Sequence, residues 1–132
     1  MIGLDTNILV RLLVEDDLVQ SAQAKHFVER RCTPESPGFI NCVVLAELVW
    51  VLGSIYHFGR AEIAAAVETL LAGRDRVFEY HDDVQKALAE YKTGNIGFTD
   101  AMIARINLAR GCTATATFDR KAAKLEGFVR VT

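Results

Sequence analysis

The chain has 132 residues, 51% apolar and 24% charged, with two prolines, nine glycines and no low-complexity tract; that profile argues for one folded domain spanning residues 1–132 and against disorder. A chain of this length buries roughly 68% of the surface its unfolded form exposes, so its core needs neither disulfides nor a structural metal. Fifteen Lys and Arg against 17 Asp and Glu give a formal charge of -2, and no global basic field announces nucleic acid or an anionic membrane.

Ile2, Gly3 and Leu4 read as a short strand ending in Asp5, and Ile8, Leu9, Leu12 and Leu13 then fall at helical spacing. Leu18 to Arg31 reads as an amphipathic helix on Val19, Ala22, His26 and Phe27, stopped by Pro34, Pro37 and Gly38. Phe39 and Ile40 make a second strand, and Val43 to Tyr56, apolar nearly all round, predicts a buried helix in which Trp50 and Tyr56, with Phe58 just beyond, belong to the core, although part of that surface could serve a protein contact. Ala61 to Leu71 predicts a helix closed by Gly73, and Val77, Phe78 and Tyr80 a third strand. A helix follows from about Asp83 to Tyr91, then one capped by Thr99 that runs to Gly111. Thr113 to Phe118 reads as a strand, Arg120 to Leu125 as a short helix, and Phe128 to Val131 as an edge strand. Strands alternating with helices throughout predict an α/β sandwich with a mainly parallel sheet, the first strand at its centre.

The apolar stretch from Cys42 to Leu52 is about half of what a bilayer span needs, and Glu47 interrupts it. Asp5 and Arg11 break up any apolar region near the start, so no export signal is expected. Cys32, Cys42 and Cys112 form an odd set without a CxxC pair, which fits a reducing compartment; the cytoplasm is the expected location.

Four carboxylates stand out by position. Asp5 closes a strand, where open α/β sheets bind ligands, although it also suits a helix cap. Glu47 has Val43, Val44, Trp50 and Val51 as helical neighbours, and in a buried face it would call for a cation, unless it emerges at a groove or pairs with an arginine from elsewhere. Asp100 lies in the first turn of a helix and Asp119 follows a strand; dipole and capping roles would account for each singly. A parallel sheet brings strand ends to one edge, and carboxylates about 5 Å apart would repel by roughly 3 kcal/mol at an effective dielectric near 20. Protonation or a divalent ion must relieve that. Oxygen-only ligands favour Mg²⁺ or Mn²⁺ over zinc, with the Asn7 amide and Thr117 hydroxyl able to orient water or hydrogen-bond a ligand. His26, His57 and His81 share no ligand spacing and are expected at or near the surface.

In their order, Asp5-Thr6-Asn7, Ala46-Glu47-Leu48, Thr99-Asp100-Ala101-Met102-Ile103-Ala104 and Thr117-Phe118-Asp119 resemble the PIN-domain ribonucleases, specifically the VapC-type toxins of prokaryotic toxin–antitoxin pairs. The resemblance covers essentially the whole chain; Thr99 departs from the small apolar residue many relatives carry. It implies a three-layer α/β/α sandwich with a mainly parallel central sheet, Mg²⁺- or Mn²⁺-dependent cleavage of RNA, a homodimer, and a small antitoxin that inhibits the toxin, in some cases within a hetero-oligomer. Asp5, Glu47, Asp100 and Asp119 match the family's acidic positions. Setting these four aside leaves 13 acidic against 15 basic residues, and Arg11, Arg105, Arg110, Lys121 and Lys124 are candidate phosphate contacts. Two other functions compete: a non-catalytic PIN-fold interaction module, and a phosphatase like the haloacid dehalogenases with Asp5 as nucleophile, against which stands Asn7 where that family wants a second aspartate.

Overall fold

A computed structural model describes residues 1–132 and divides them into two compact units, Met1–Glu79 and Tyr80–Thr132. In the first, β1 (Ile2–Gly3), α1 (Thr6–Leu13), α2 (Leu18–Arg31), β2 (Gly38–Ile40), α3 (Cys42–Ser54), α4 (Arg60–Ala72) and β3 (Arg76–Phe78) follow in order. The strands form a parallel sheet in the order β1-β2-β3, with Ile2 opposite Gly38 and Ile40 opposite Phe78. Within this sheet β2 is central and β1 lies at the side, so the expected central placement of the first strand is corrected.

Local chemistry sets the helix starts. Asp17 Oδ1 accepts the Gln20 amide at 2.9 Å at the head of α2, Asn41 Oδ1 accepts the Val44 amide at 2.8 Å at the head of α3, and Glu62 Oε1 accepts the Gly59 amide at 3.1 Å at the head of α4. Leu4, Leu9, Ile40, Leu45, Leu48, Leu52, Val67 and Leu70 are buried in this unit. Gly38 is required by close approach: a Cβ there would stand 2.7 Å from Leu4 Cδ1 and 3.2 Å from Cys32 Sγ.

Two helix faces differ from the sequence reading. On α2 the buried residues are Ser21, Ala24 and Val28, whereas Val19 is 68% exposed; the apolar pattern there was weak enough for the buried stripe to fall between its members. On α3 only Leu45, Leu48 and Leu52 are fully buried, and Val43 and Trp50 are 77% and 62% exposed. The helix is apolar on its outer face as well, so composition overstated its burial and Trp50 is not core. Tyr56 and Phe58 are half-buried.

The second unit contains α5 (His81–Lys92), α6 (Phe98–Ala109), β4 (Thr115–Thr117), a 3-10 turn at Ala122–Lys124 and β5 (Phe128–Arg130). β4 and β5 pair in parallel, Thr115 opposite Phe128 and Thr117 opposite Arg130. α5 packs on α6 through buried Val84, Leu88, Tyr91, Phe98 and Met102, with the Tyr91 and Phe98 rings edge to face at 5.7 Å. Gly97, not Thr99, is the cap residue of α6, because the buried Phe98 already lies in its first turn. Every strand pair of the chain is parallel, as the α/β reading expected.

Candidate functional site

Asp5 follows buried Leu4, whose amide donates to the Phe39 carbonyl at 2.9 Å, and so stands where β1 hands over to α1. Its Oδ1 accepts the Thr6 amide at 2.8 Å and its carbonyl accepts the Ile8 and Leu9 amides. Asp5 is therefore a helix cap, and an exposed one whose Oδ2 remains for a ligand. Glu47, from the middle of α3, lines the same pocket, about 260 Å³ in volume, with Thr6, Asn7, Arg11 and Tyr56 among its walls.

Glu47 is exposed. The expected desolvation of its carboxylate is thus corrected: Val43 and Trp50 beside it are exposed with it, Val44 and Val51 are half-buried, and water reaches the group. What brings Glu47 to Asp5 is the packing of α1 against α3, which the sequence could not show.

Thr6 is a residue the sequence reading passed over. It is only 5% exposed, it lines this pocket, and its Oγ1 has no hydrogen-bond partner. A buried hydroxyl without a partner costs about 1–3 kcal/mol, and this oxygen, itself closed to solvent, belongs to the pocket's wall and not to its open face. Its position between Asp5 and Asn7, on the inward side of α1, was the available signal.

Arg11 sits one turn beyond Asn7 and is held on three sides: Nη1 donates to Asp16 Oδ1 at 2.9 Å, Nε donates to Gln20 Oε1 at 2.7 Å, and Nη1 approaches the Tyr56 hydroxyl at 3.4 Å. Tyr56 in turn donates to Asp16 Oδ2 at 2.8 Å. That hydroxyl bond, with Arg11 close by, holds the Asp16 carboxyl below the usual carboxylate range, and the Tyr56 contact raises Arg11 above its ordinary value. The network makes Arg11 a fixed cation on the pocket wall.

Asp100 and Asp119 belong to the second unit. Asp100 is exposed in the first turn of α6, where the helix dipole favours it. Asp119 Oδ1 accepts the Lys121 and Ala122 amides at 2.8 and 3.2 Å, while its own amide donates to Thr117 Oγ1 at 3.0 Å. The Thr117 hydroxyl and one Asp119 oxygen thus build the turn after β4. Lys121, Lys124 and Arg110 are exposed; Arg105 pairs with Glu90. His26, His57 and His81 are exposed, with His81 Nδ1 3.5 Å from Asp82.

No three or more His, Cys, Asp or Glu side chains form a metal-holding group. The Asp5–Glu47 pocket offers two carboxylates, both oxygen donors. That set fits Mg²⁺, which keeps several waters and takes one or two carboxylates plus substrate phosphate, and it does not fit zinc.

A family model described as the PIN domain matches residues 2–127, across both units. Among solved structures, the Mycobacterium tuberculosis toxin VapC20, described as cleaving the sarcin–ricin loop, is 18% identical over 94% of this chain and 95% of that one, with a TM-score of 0.46. No curated protein matches. The acidic motifs, the parallel α/β elements and a family match over nearly the whole sequence agree, and the chain belongs to the PIN-domain family.

Proposed function

We propose that the chain is a metal-dependent endoribonuclease of the VapC toxin type, hydrolysing RNA phosphodiester bonds. The observation that carries this reading is the shared pocket of Asp5 and Glu47 in a PIN-family chain. Asp5 Oδ2 and the Glu47 carboxylate would hold Mg²⁺, or Mn²⁺ in its place. Such an ion supplies charge neutralisation at the phosphate and a lowered pKa for attacking water.

The chain's own groups do the rest. The Asn7 amide and the braced Arg11 guanidinium meet phosphate oxygens, and Arg11, already positioned by Asp16, Gln20 and Tyr56, loses little freedom in doing so. Exposed Glu47 orients the water that attacks phosphorus. The bond from phosphorus to the 3′ oxygen breaks, leaving a 5′-phosphate and a 3′-hydroxyl. On the sequence motifs, Asp100 and Asp119 are further members of the acidic set and Lys121 a phosphate contact. A small antitoxin and a second copy of the chain are the proposed partners. No helix is long and apolar enough to cross a membrane, and the cytoplasm is the proposed location.

Purified protein is expected to cut RNA with Mg²⁺ or Mn²⁺, to stop on addition of EDTA, and to leave ends that ligate only as 5′-phosphates. Cleavage that persists in EDTA, or 2′,3′-cyclic ends, would reject the mechanism. The outward apolar residues Val43 and Trp50 favour a second reading, a non-catalytic interaction module; a folded chain inert toward RNA with both ions would select it.

A further inference from the structure

A second pocket, of about 370 Å³, is bounded by α1 and α2, and Asn7, Arg11, Gln20, Gln23 and Phe27 are among its lining residues. Asn7 and Arg11, one helical turn apart, also line the Asp5–Glu47 pocket, so the two open side by side. No carboxylate belongs to the lining, and its single charged group, Arg11, is paired with Asp16 at 2.9 Å; recognition here therefore rests on the carboxamides and the aromatic ring more than on net charge. The Asn7 and Gln23 carboxamides each offer a donor and an acceptor. Gln20 spends its oxygen on Arg11 Nε, which fixes the side chain and leaves its NH₂ to donate. Phe27 is half-buried, with the Arg31 guanidinium over its ring at 5.4 Å from the centroid.

Neutral amides, an aromatic face and a cation at the junction are the chemistry that recognises an unstacked base joined to a phosphate. The volume lies at the lower end of the range of small-ligand sites, roughly 300–1,000 Å³. An apolar peptide side chain would satisfy none of the carboxamides. Building on the nuclease reading above, we infer that this pocket is the base-specificity subsite for single-stranded RNA. It takes the base of a nucleotide next to the scissile phosphate: Phe27 stacks on the base, Gln20 and Gln23 read its edge, and Arg11 holds the phosphate between the two pockets.

The test measures binding of fluorescein-labelled hexaribonucleotides of A, C, G and U to the full chain carrying Asp5→Asn, and sequences the RNA ends cut by chains with the native Asp5. The four hexamers should differ in Kd by about fivefold or more. Phe27→Leu should weaken the preferred one roughly tenfold, within the range of single-base stacking. Gln23→Ala, at an exposed position that leaves the fold intact, should shrink the spread below about twofold, and its cut sites should lose their preference at one nucleotide position. Equal Kd for all four hexamers, or a spread that both substitutions leave unchanged, overturns the subsite; cleavage with Mg²⁺ would still stand. A wild-type chain that cuts no RNA yet keeps a Gln23-dependent spread supports the subsite and sinks the nuclease reading instead. Failure to bind any hexamer, with a protein partner that Phe27→Leu releases, overturns the subsite in favour of a peptide occupant.

Discussion

Asp5 caps α1 and, on the proposed function, also holds the ion, and the two roles can be separated by substitution. Asn caps a helix about as well as Asp, whereas Ala removes the cap at a cost of about 1 kcal/mol. Urea denaturation should therefore find Asp5→Asn close to wild type and Asp5→Ala about 1 kcal/mol less stable, while RNA cleavage is lost in both; equal stability of the two variants would deny the cap. A second residue-scale prediction concerns Asp16. Its carboxyl is held below the ordinary range first by the Tyr56 hydroxyl and then by Arg11, so the contact stabilises the fold above that range and is lost as pH falls through the lowered value. Carboxyl NMR should place the Asp16 midpoint below about 3.9, the ordinary aspartate value, and Tyr56→Phe should move it upward. An unmoved midpoint would mean the hydroxyl does not bond Asp16. The sequence marked Asp5 and Glu47 by motif and position, but Tyr56 and Thr6 matter through contacts with residues distant in the chain or through burial, and neither leaves a local pattern.

At the scale of elements, α3 has two apolar faces with different consequences. Leu48 is fully buried, so Leu48→Ala should cost about 2–5 kcal/mol, whereas exposed Trp50→Ser should change stability by no more than about 0.5 kcal/mol. A large loss at Trp50 in the isolated chain would show that this face is covered. β2 offers a further check: the Cβ of Gly38→Ala would press on Leu4 at 2.7 Å, and since Leu4 precedes Asp5, a loss of about 1–3 kcal/mol should come with reduced cleavage. The order and kind of elements were legible because strands of three residues or fewer sit between Gly and Pro signals and strong helices. The inward face of α3 was not, since a helix apolar all round has no periodicity to reveal which side is buried. The start of α6 was misread for a related reason: Thr99 is a good cap by type, but the burial of Phe98 sets where the helix begins.

For the whole molecule, a net charge of -2 would weigh against an RNA enzyme only if charge acted as a sum. Local placement decides instead, with Arg11 braced beside two carboxylates that a divalent ion can neutralise. The family was legible from four motifs in order, and the match over residues 2–127 agrees. The pairing of Asp5 with Glu47 was implied only by that resemblance until α1 was seen packed on α3. If the two carboxylates act on one ion, their removal is non-additive. The direct measurement is the rate of RNA cleavage with Mn²⁺ for wild type, Asp5→Asn, Glu47→Gln and the double variant, each shown folded by circular dichroism. Each single substitution should lower the rate by more than about 100-fold, since even an outer-shell partner is worth about 10–100-fold, and the double variant should be no slower than the slower single one. Cleavage by Glu47→Gln at the wild-type rate, or losses that multiply in the double variant, would contradict a shared site.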